Sequence, residues 1–293
     1  YHLNIRYTLK QAEPFLEKGY EVAYEQFDLA KTNVALTPAL VKGTVTLNET
    51  AAAYTLSGKN FNIIFDAKAG ILKSYTFNKT QLLQNGPEPS FWRAPTDNDM
   101  GAGYNGSLRN WRNAYQQGTL TAAAAVRNED GSFRITFKKD LVKGDASQEQ
   151  VFTIYADGTI KVDNRFTAIK GKYPLLLRMG TDLELNQDLS QIEYYGRGPW
   201  ENYWDRKTAS LVGIYKQTVN DQYFGYARPQ ESGNKTEVRW VNFTNKKGKG
   251  LQFIYEKDLL SFAALPYSLD DLDPERDKKQ YHSGELDKRN KVY

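Results

Sequence analysis

The sequence predicts an all-β protein, built largely as one large antiparallel β-sandwich. Three observations carry that prediction. Short runs alternate apolar and polar residues, turn signals recur about every ten residues, and helical periodicity is nearly absent along the 293 residues. Residues 1 to 29 hold two alternating runs, "HLNIRY" and "EVAYEQF", with Pro14 and Gly19 between them, so two strands joined by a loop are expected. Two strands cannot make a stable domain alone, which marks this hairpin as the end of a neighbouring sandwich. Its Tyr7, Val22, Tyr24 and Phe27 are expected to present a partly exposed apolar face. Residues 30 to 44 have no period and read as a linker.

From Val45 onward strands are expected over Val45–Leu56, Asn60–Asp66, Phe133–Lys138, Val151–Ala156, Thr159–Phe166, Leu175–Leu185, Glu237–Thr244 and Leu251–Tyr255. The turns "DAKAG", "NEDG", "ADG" and "NKKGKG" separate some of them, because Asp, Asn and Gly tolerate positive φ. Short helices fit only around Leu108–Gln116 and Leu269–Arg276. No repeat recurs at a fixed period.

Composition excludes several function classes. Hydrophobic residues at 40% and charged residues at 25% place the chain among globular proteins. The net charge of +4 comes from scattered Lys and Arg, without the basic stripe that nucleic-acid binding needs. Without cysteine there are no disulfides, thiolate metal sites or cysteine nucleophiles, which suits a reducing cytosol or an exported bacterial protein alike. No stretch approaches the roughly 18 apolar residues of a membrane helix, so no membrane partner is expected. The chain opens in strand-like alternation and without Met, and reads as a piece of something longer.

Only His2 and His282 could serve a Ser-His-Asp triad or a histidine metal site, and no nucleophile-elbow motif supports the triad. Carboxylates are plentiful, and glycoside hydrolysis needs two across the scissile bond. The candidates are Asp97 and Asp99 in "FWRAPTDNDMG", Glu201 and Asp205 in "WENYWDR", and Glu231 in "RPQESGN". Arg93, Arg197, Arg206 and Arg228 lie beside them, and a guanidinium opposes the raised pKa an acid catalyst requires. Trp92, Trp111, Trp200, Trp204 and Trp240, with Tyr194, Tyr195, Tyr203, Tyr223 and Tyr226, mostly stand near Arg, Asp, Asn or Gln. Such rings suit a sugar-lined groove and a corner between sheets equally.

Three stretches, "FWRAPTDNDMG", "YYGRGPWENYWDRKTASLVGIY" and "YARPQESGNKTEVRWVNF", occur in order between Phe91 and Phe243. Together they resemble the C-terminal region of the large bacterial β-galactosidases of glycoside hydrolase family two, also known as the β-galactosidase small chain. "EVAYEQFDL" is similar to the close of that family's preceding immunoglobulin-like domain. The resemblance implies a supersandwich of galactose mutarotase-like fold over residues 45 to 293, after the terminal hairpin at 1 to 29 and the linker at 30 to 44. It implies a parent that hydrolyses terminal β-D-galactosides with retention, through two glutamates in a central barrel. The present sequence has no (β/α)₈ alternation, so neither glutamate carries over. It also stops at "HSGELDKRNKVY", before the Gly-rich loop whose tryptophan the family's sandwich lends to the active site.

No catalytic residue is therefore expected in this chain. Arg197, Trp200, Glu201, Asn202, Arg228 and Glu231 are the candidates for carbohydrate binding. Arg93, Asp97, Asn98, Asp99, Asp205 and Arg206 are expected to form a structural cluster, and Gly196, Gly198 and Pro199 a tight turn over Trp200, Tyr203 and Trp204. No metal site is expected; the family's divalent (Mg or Ca) and Na cations have their ligands mainly outside this region. The implied partner is a galactoside substrate, reached through the parent's catalytic barrel, and the resemblance leaves room for an oligomeric parent. Two other readings use the same residues: a stand-alone carbohydrate-binding module, and an aldose mutarotase. The second needs paired acid and base, usually histidines, that this sequence barely supplies.

Overall fold

The computed structural model describes residues 1–29, 43–171, 175–256, 258–273 and 282–293. Strands β1 (His2–Thr8) and β2 (Glu21–Asp28) pair as a two-stranded sheet. Next come β3 (Thr46–Glu49), β4 (Ala53–Ser57), β5 (Phe61–Asp66), β6 (Ile71–Phe77) and β7 (Thr80–Ser90), each antiparallel to its neighbour. A four-stranded antiparallel sheet follows from β8 (Thr119–Arg127), β9 (Phe133–Leu141), β10 (Ala146–Ile154) and β11 (Ile160–Ala168). The last strands are β12 (Gly180–Asn186), β13 (Gln191–Gly198), β14 (Leu211–Thr218), β15 (Lys235–Val238), β16 (Trp240–Thr244), β17 (Gly250–Ile254), β18 (Leu260–Phe262) and β19 (Lys291–Val292). Strands β12 and β19 complete a seven-stranded sheet ordered β19-β12-β7-β6-β5-β4-β3. A second four-stranded sheet runs β14-β13-β16-β17, and β15 pairs with β18. The fold is an all-β antiparallel sandwich, and among the described residues its helical segments are turns of three to five residues.

Alternation explains the layers. Phe61, Ile63 and Phe65 of β5, Ile135 and Phe137 of β9, and Phe152 and Ile154 of β10 all turn inward. The Phe65 and Phe152 rings meet at 4.9 Å, and Tyr54 stacks on Phe137 at 6.2 Å. Ile192, Tyr194, Val241 and Phe243, from the second four-stranded sheet, continue the same core. A smaller cluster of Phe91, Trp92, Leu108, Trp111 and Tyr115 seats the stretch after β7.

All four turn motifs fall at hairpins, and each works the same way. Asp66 Oδ1 accepts from the N–H groups of Lys68 and Ala69 at 3.0 and 2.8 Å. Asp130 accepts from Ser132 N–H, Asp157 from Thr159 N–H, and Asn245 from Lys247 and Lys249 N–H. A short polar side chain thus satisfies backbone groups that the reversal leaves unpaired.

Several boundaries differ from the expectation. The run Val45–Leu56 is two strands, because Thr50 Oγ1 accepts from Ala53 N–H at 3.0 Å and reverses the chain. The run Glu237–Thr244 divides between β15 and β16, where Glu237 takes a positive φ of 52°. Only Gly180 onward of the run Leu175–Leu185 is strand. Between Leu108 and Gln116 there is a 3₁₀ turn, Arg109–Trp111, with further turns, rather than an α-helix. At Leu269–Arg276 a single turn spans Leu269–Leu272, and residues 274–276 lie outside the described residues, as does linker 30–44 except Gly43 and Thr44.

Tyr7, Val22, Tyr24 and Phe27 of the hairpin are exposed. The hairpin meets the sandwich along β14 through side chains. The Gln26 amide donates to Val212 C=O at 2.9 Å and accepts from Val212 N–H at 2.8 Å, while Tyr24 OH donates to Ala209 C=O at 2.6 Å. Between them His2 bridges Asp28, 2.8 Å from Nδ1, and Tyr195 OH, 3.0 Å from Nε2.

Candidate functional site

The three long motifs, far apart in sequence, converge on one junction. In the first, Phe91 and Trp92 are buried, and Trp92 Nε1–H donates to Asp273 at 2.8 Å. With that end anchored, the chain turns at Thr96 into the helical turn Asp97–Gly101. Thr96 and Asp99 cap it reciprocally: Asp99 N–H donates to Thr96 Oγ1 at 3.2 Å, and Thr96 N–H to the Asp99 carboxylate at 3.0 Å. Arg93 grips that carboxylate with two bonds of 3.1 and 2.9 Å. Burial alone would push the Asp99 carboxyl up. The Arg93 and Thr96 hydrogen bonds and the Arg93 charge outweigh it and hold the group below the ordinary carboxylate range.

Asp97 is exposed and pairs with Arg228 of the third motif, whose Glu231 N–H donates to Ala94 C=O at 3.2 Å. Asn98 is also exposed, and its backbone carbonyl accepts from Ala102 N–H. Glu231 is buried against Arg178, which lies outside all three motifs.

In the second motif, Glu201 accepts from Arg206, from Tyr226 OH and, at 2.8 Å, from Gly233 N–H. Burial works to raise its carboxyl, and those three donors bring it below the ordinary range. Asn202 is 0% exposed. Its amide donates to the carbonyls of Arg197 and Trp200 at 3.1 and 2.9 Å and accepts from Thr236 N–H and OH at 2.9 and 2.6 Å. Arg197 pairs with Glu237 at 2.8 Å, and Lys207 reaches the same carboxylate at 2.6 Å. Beneath lies Lys235, buried, donating to Gly233 C=O at 3.0 Å and pushed down to about 8 by that burial against the opposing pull of Glu201.

The junction corrects parts of the sequence reading. Gly196 and Gly198 belong to β13 rather than to a turn. A Cβ on Gly196 would stand 2.9 Å from Val238 Cα, so the glycine serves close approach between strands. Trp200 and Trp204 do not fill the space beneath: they are 75% and 63% exposed, and the buried ring there is Tyr194. Asp205 is exposed and makes no ion pair among the described residues, because Arg206 turns to Glu201 and lays its guanidinium over the Tyr203 ring at 4.7 Å. Of the six residues proposed to line a sugar site, Asn202 is wholly engaged inside the fold, and Arg197, Glu201, Arg228 and Glu231 are held in ion pairs. Trp200 alone of the six is mainly exposed.

Chemically, the junction is an ion-paired scaffold. Asp99 and Glu201, with depressed pKa values, stay ionised and cannot donate a proton near neutrality. Arg178 and Asp273 were invisible to motif reasoning, since their partners lie 53 and up to 181 residues away.

The model of the β-galactosidase small-chain family matches residues 57–293. Among curated proteins, a β-galactosidase from Priestia megaterium is 35% identical over 91% of this chain, and one from Lactobacillus delbrueckii subsp. bulgaricus is 34% identical over 89%. One from Halalkalibacterium halodurans is 28% identical over 93%. The chain spans about a quarter of the length of each, 25 to 27%. Long motifs meeting at one ion-paired junction of an antiparallel sandwich, and a family match over most of the chain, give one conclusion: the chain belongs to the β-galactosidase small-chain family.

Proposed function

We propose that this chain is the C-terminal, non-catalytic part of a longer β-galactosidase that hydrolyses terminal β-D-galactosides with retention. The observation that carries the reading is the state of the motif carboxylates. Asp97, Asp99, Glu201 and Glu231 each face an arginine, and Asp99 and Glu201 are held ionised. Retaining hydrolysis needs a carboxylate nucleophile and a second carboxyl able to donate a proton. The motif network supports a rigid wall instead, with the galactoside reached through the parent's barrel. The parent's Mg, Ca or Na ions are expected to take their ligands mainly from outside this chain.

The chain alone should not cleave a nitrophenyl β-galactoside above background, whereas the same chain joined to its full upstream sequence should. Turnover by the isolated chain that one carboxylate-to-amide change abolishes would overturn the reading.

A further inference from the structure

Strand β8 is one outer edge of the sheet ordered β11-β10-β9-β8, and among the described residues it pairs with β9 alone. The hairpin geometry decides which of its backbone groups stay open. Asn128 N–H donates to Ser132 C=O at 2.8 Å, so the hydrogen-bonded pairs toward β9 continue at Val126–Arg134 and Ala124–Thr136. Ala123 and Ala125 alternate with them, opposite Phe137 and Ile135, and turn both N–H and C=O outward. The far side of β9 agrees. Tyr155 N–H donates to Thr159 C=O at 3.0 Å, which makes Phe152–Ile135 and Gln150–Phe137 the bonded pairs between β10 and β9.

An open ladder of this kind is a template for another strand, and folded proteins blunt it by shortness, charge or a cover. The other outer strands of the three larger sheets are blunted. Strands β19 and β3 have two and four residues. Strand β11 carries Lys161, Asp163 and Arg165, and Lys161 reaches Glu256 beyond β17 at 3.3 Å. Gln26 occupies the backbone groups of Val212 in β14, and β17 is five residues long after a lysine-rich turn. Strand β8, by contrast, has nine residues and no charged side chain from Thr119 to Val126.

The edge is also self-complementary. About a two-fold axis at Ala124, Ala123 of each copy meets Ala125 of the other, and the outward groups of both are satisfied. About an axis at Ala125, that residue meets its own copy and Arg127 meets Ala123. Neither register sets like charges opposite one another, and both lie clear of the irregularity between Leu120 and Ala122. Both also cover part of Val126, which is 46% exposed. We propose that β8 is a strand-addition surface on which a second copy of this chain pairs antiparallel, joining the four-stranded sheets of two copies into one. The inference rests on the strand edge and is independent of the parent's activity.

Sedimentation velocity through a micromolar loading series tests it, and should show monomer giving way to dimer. Ala124→Lys changes an exposed side chain and should melt like the parent chain. It should raise the dissociation constant about fivefold or more, because a lysine of each copy then stands beside that of the other. An equimolar mixture of Ala124→Lys and Ala124→Glu should restore association, which a folding defect in either could not do. Ala125→Pro removes an outward N–H while sparing the bonds to β9, and should weaken the dimer likewise. Leu3→Ser, on the exposed hairpin, should leave association unchanged. A chain that stays monomeric throughout the series overturns the proposal. So does a dimer indifferent to both Ala124→Lys and Ala125→Pro, or one that Leu3→Ser dissolves.

Discussion

Replacing Asp99 by Ala removes the one carboxylate that closes the first motif on itself. Two bonds from Arg93 disappear, along with the bond that satisfies Thr96 N–H and caps the helical turn. Breaking a fully buried pair costs about 3–5 kcal/mol, and a lost cap about 1 kcal/mol. Here the orphaned guanidinium is 29% exposed and regains part of its hydration, so a net loss of about 2–4 kcal/mol is expected. For a chain of 293 residues, in which 1 kcal/mol moves the midpoint by about 1.6 °C, that lowers the melting temperature by about 3–7 °C. The partner change is diagnostic. Arg93→Ala strands a carboxylate that is only 7% exposed, and should therefore cost at least as much as Asp99→Ala. Asp99→Asn keeps an acceptor for Thr96 N–H and should fall between the parent and Asp99→Ala. Differential scanning calorimetry at pH 7 reads all three. Asp99→Ala melting within about 1 °C of the parent would show that the pair is solvated and the reasoning wrong.

Three further outcomes follow from the same junction. Gly196→Ala should cost roughly 1–3 kcal/mol in chemical denaturation, since a Cβ 2.9 Å from Val238 Cα forces β13 and β15 apart; an unchanged midpoint would contradict the close approach. Asn202→Ala should cost roughly 2–4 kcal/mol, because Thr236 N–H and two carbonyls lose their partner in a buried site; a loss below about 1 kcal/mol would mean that water replaces the amide. Asp99, Glu201 and Glu237 all have folded pKa values below their unfolded ones, near ~4, so their stabilisation is complete above that value and is lost as pH falls through the folded values. Melting temperature should hold from neutrality down to about pH 5 and drop below about pH 4, and a drop centred near pH 6 would point to other groups.

The strands readable from sequence were those with unmixed alternation, such as Phe61-Ile63-Phe65 and Phe133-Ile135-Phe137. Strand β13 was hidden because Gly196 and Gly198 look like turn residues; the nearness of Val238, 42 residues on, explains Gly196 as a strand glycine, and the Tyr194 and Tyr215 side chains explain Gly198. Strand β10 was half seen, since Gln148 and Gln150 occupy inward positions and break the apolar pattern. Gln150 is accommodated by donating to Pro87 C=O at 3.0 Å. At the junction, the acid and arginine content was legible but the pairing was not. Arg93 meets Asp99 within one motif, whereas Glu231 chooses Arg178 and Asp97 chooses Arg228 through the tertiary fold. Exposure was the other blind spot: the same indole that would fill a core at one position stands in solvent at Trp200.

The contact between the hairpin and β14 has a mechanical consequence. Gln26 holds Val212 as a neighbouring peptide group would, yet it does so with a side chain, and Tyr24 grips Ala209 likewise. The seam therefore contains side-chain fasteners where a ladder of paired backbones would otherwise run. Pulling the hairpin away breaks those fasteners one at a time and leaves the bonding within β1–β2 and within β14–β13 intact. Such a joint yields at low force, and both pieces part with their own sheets whole.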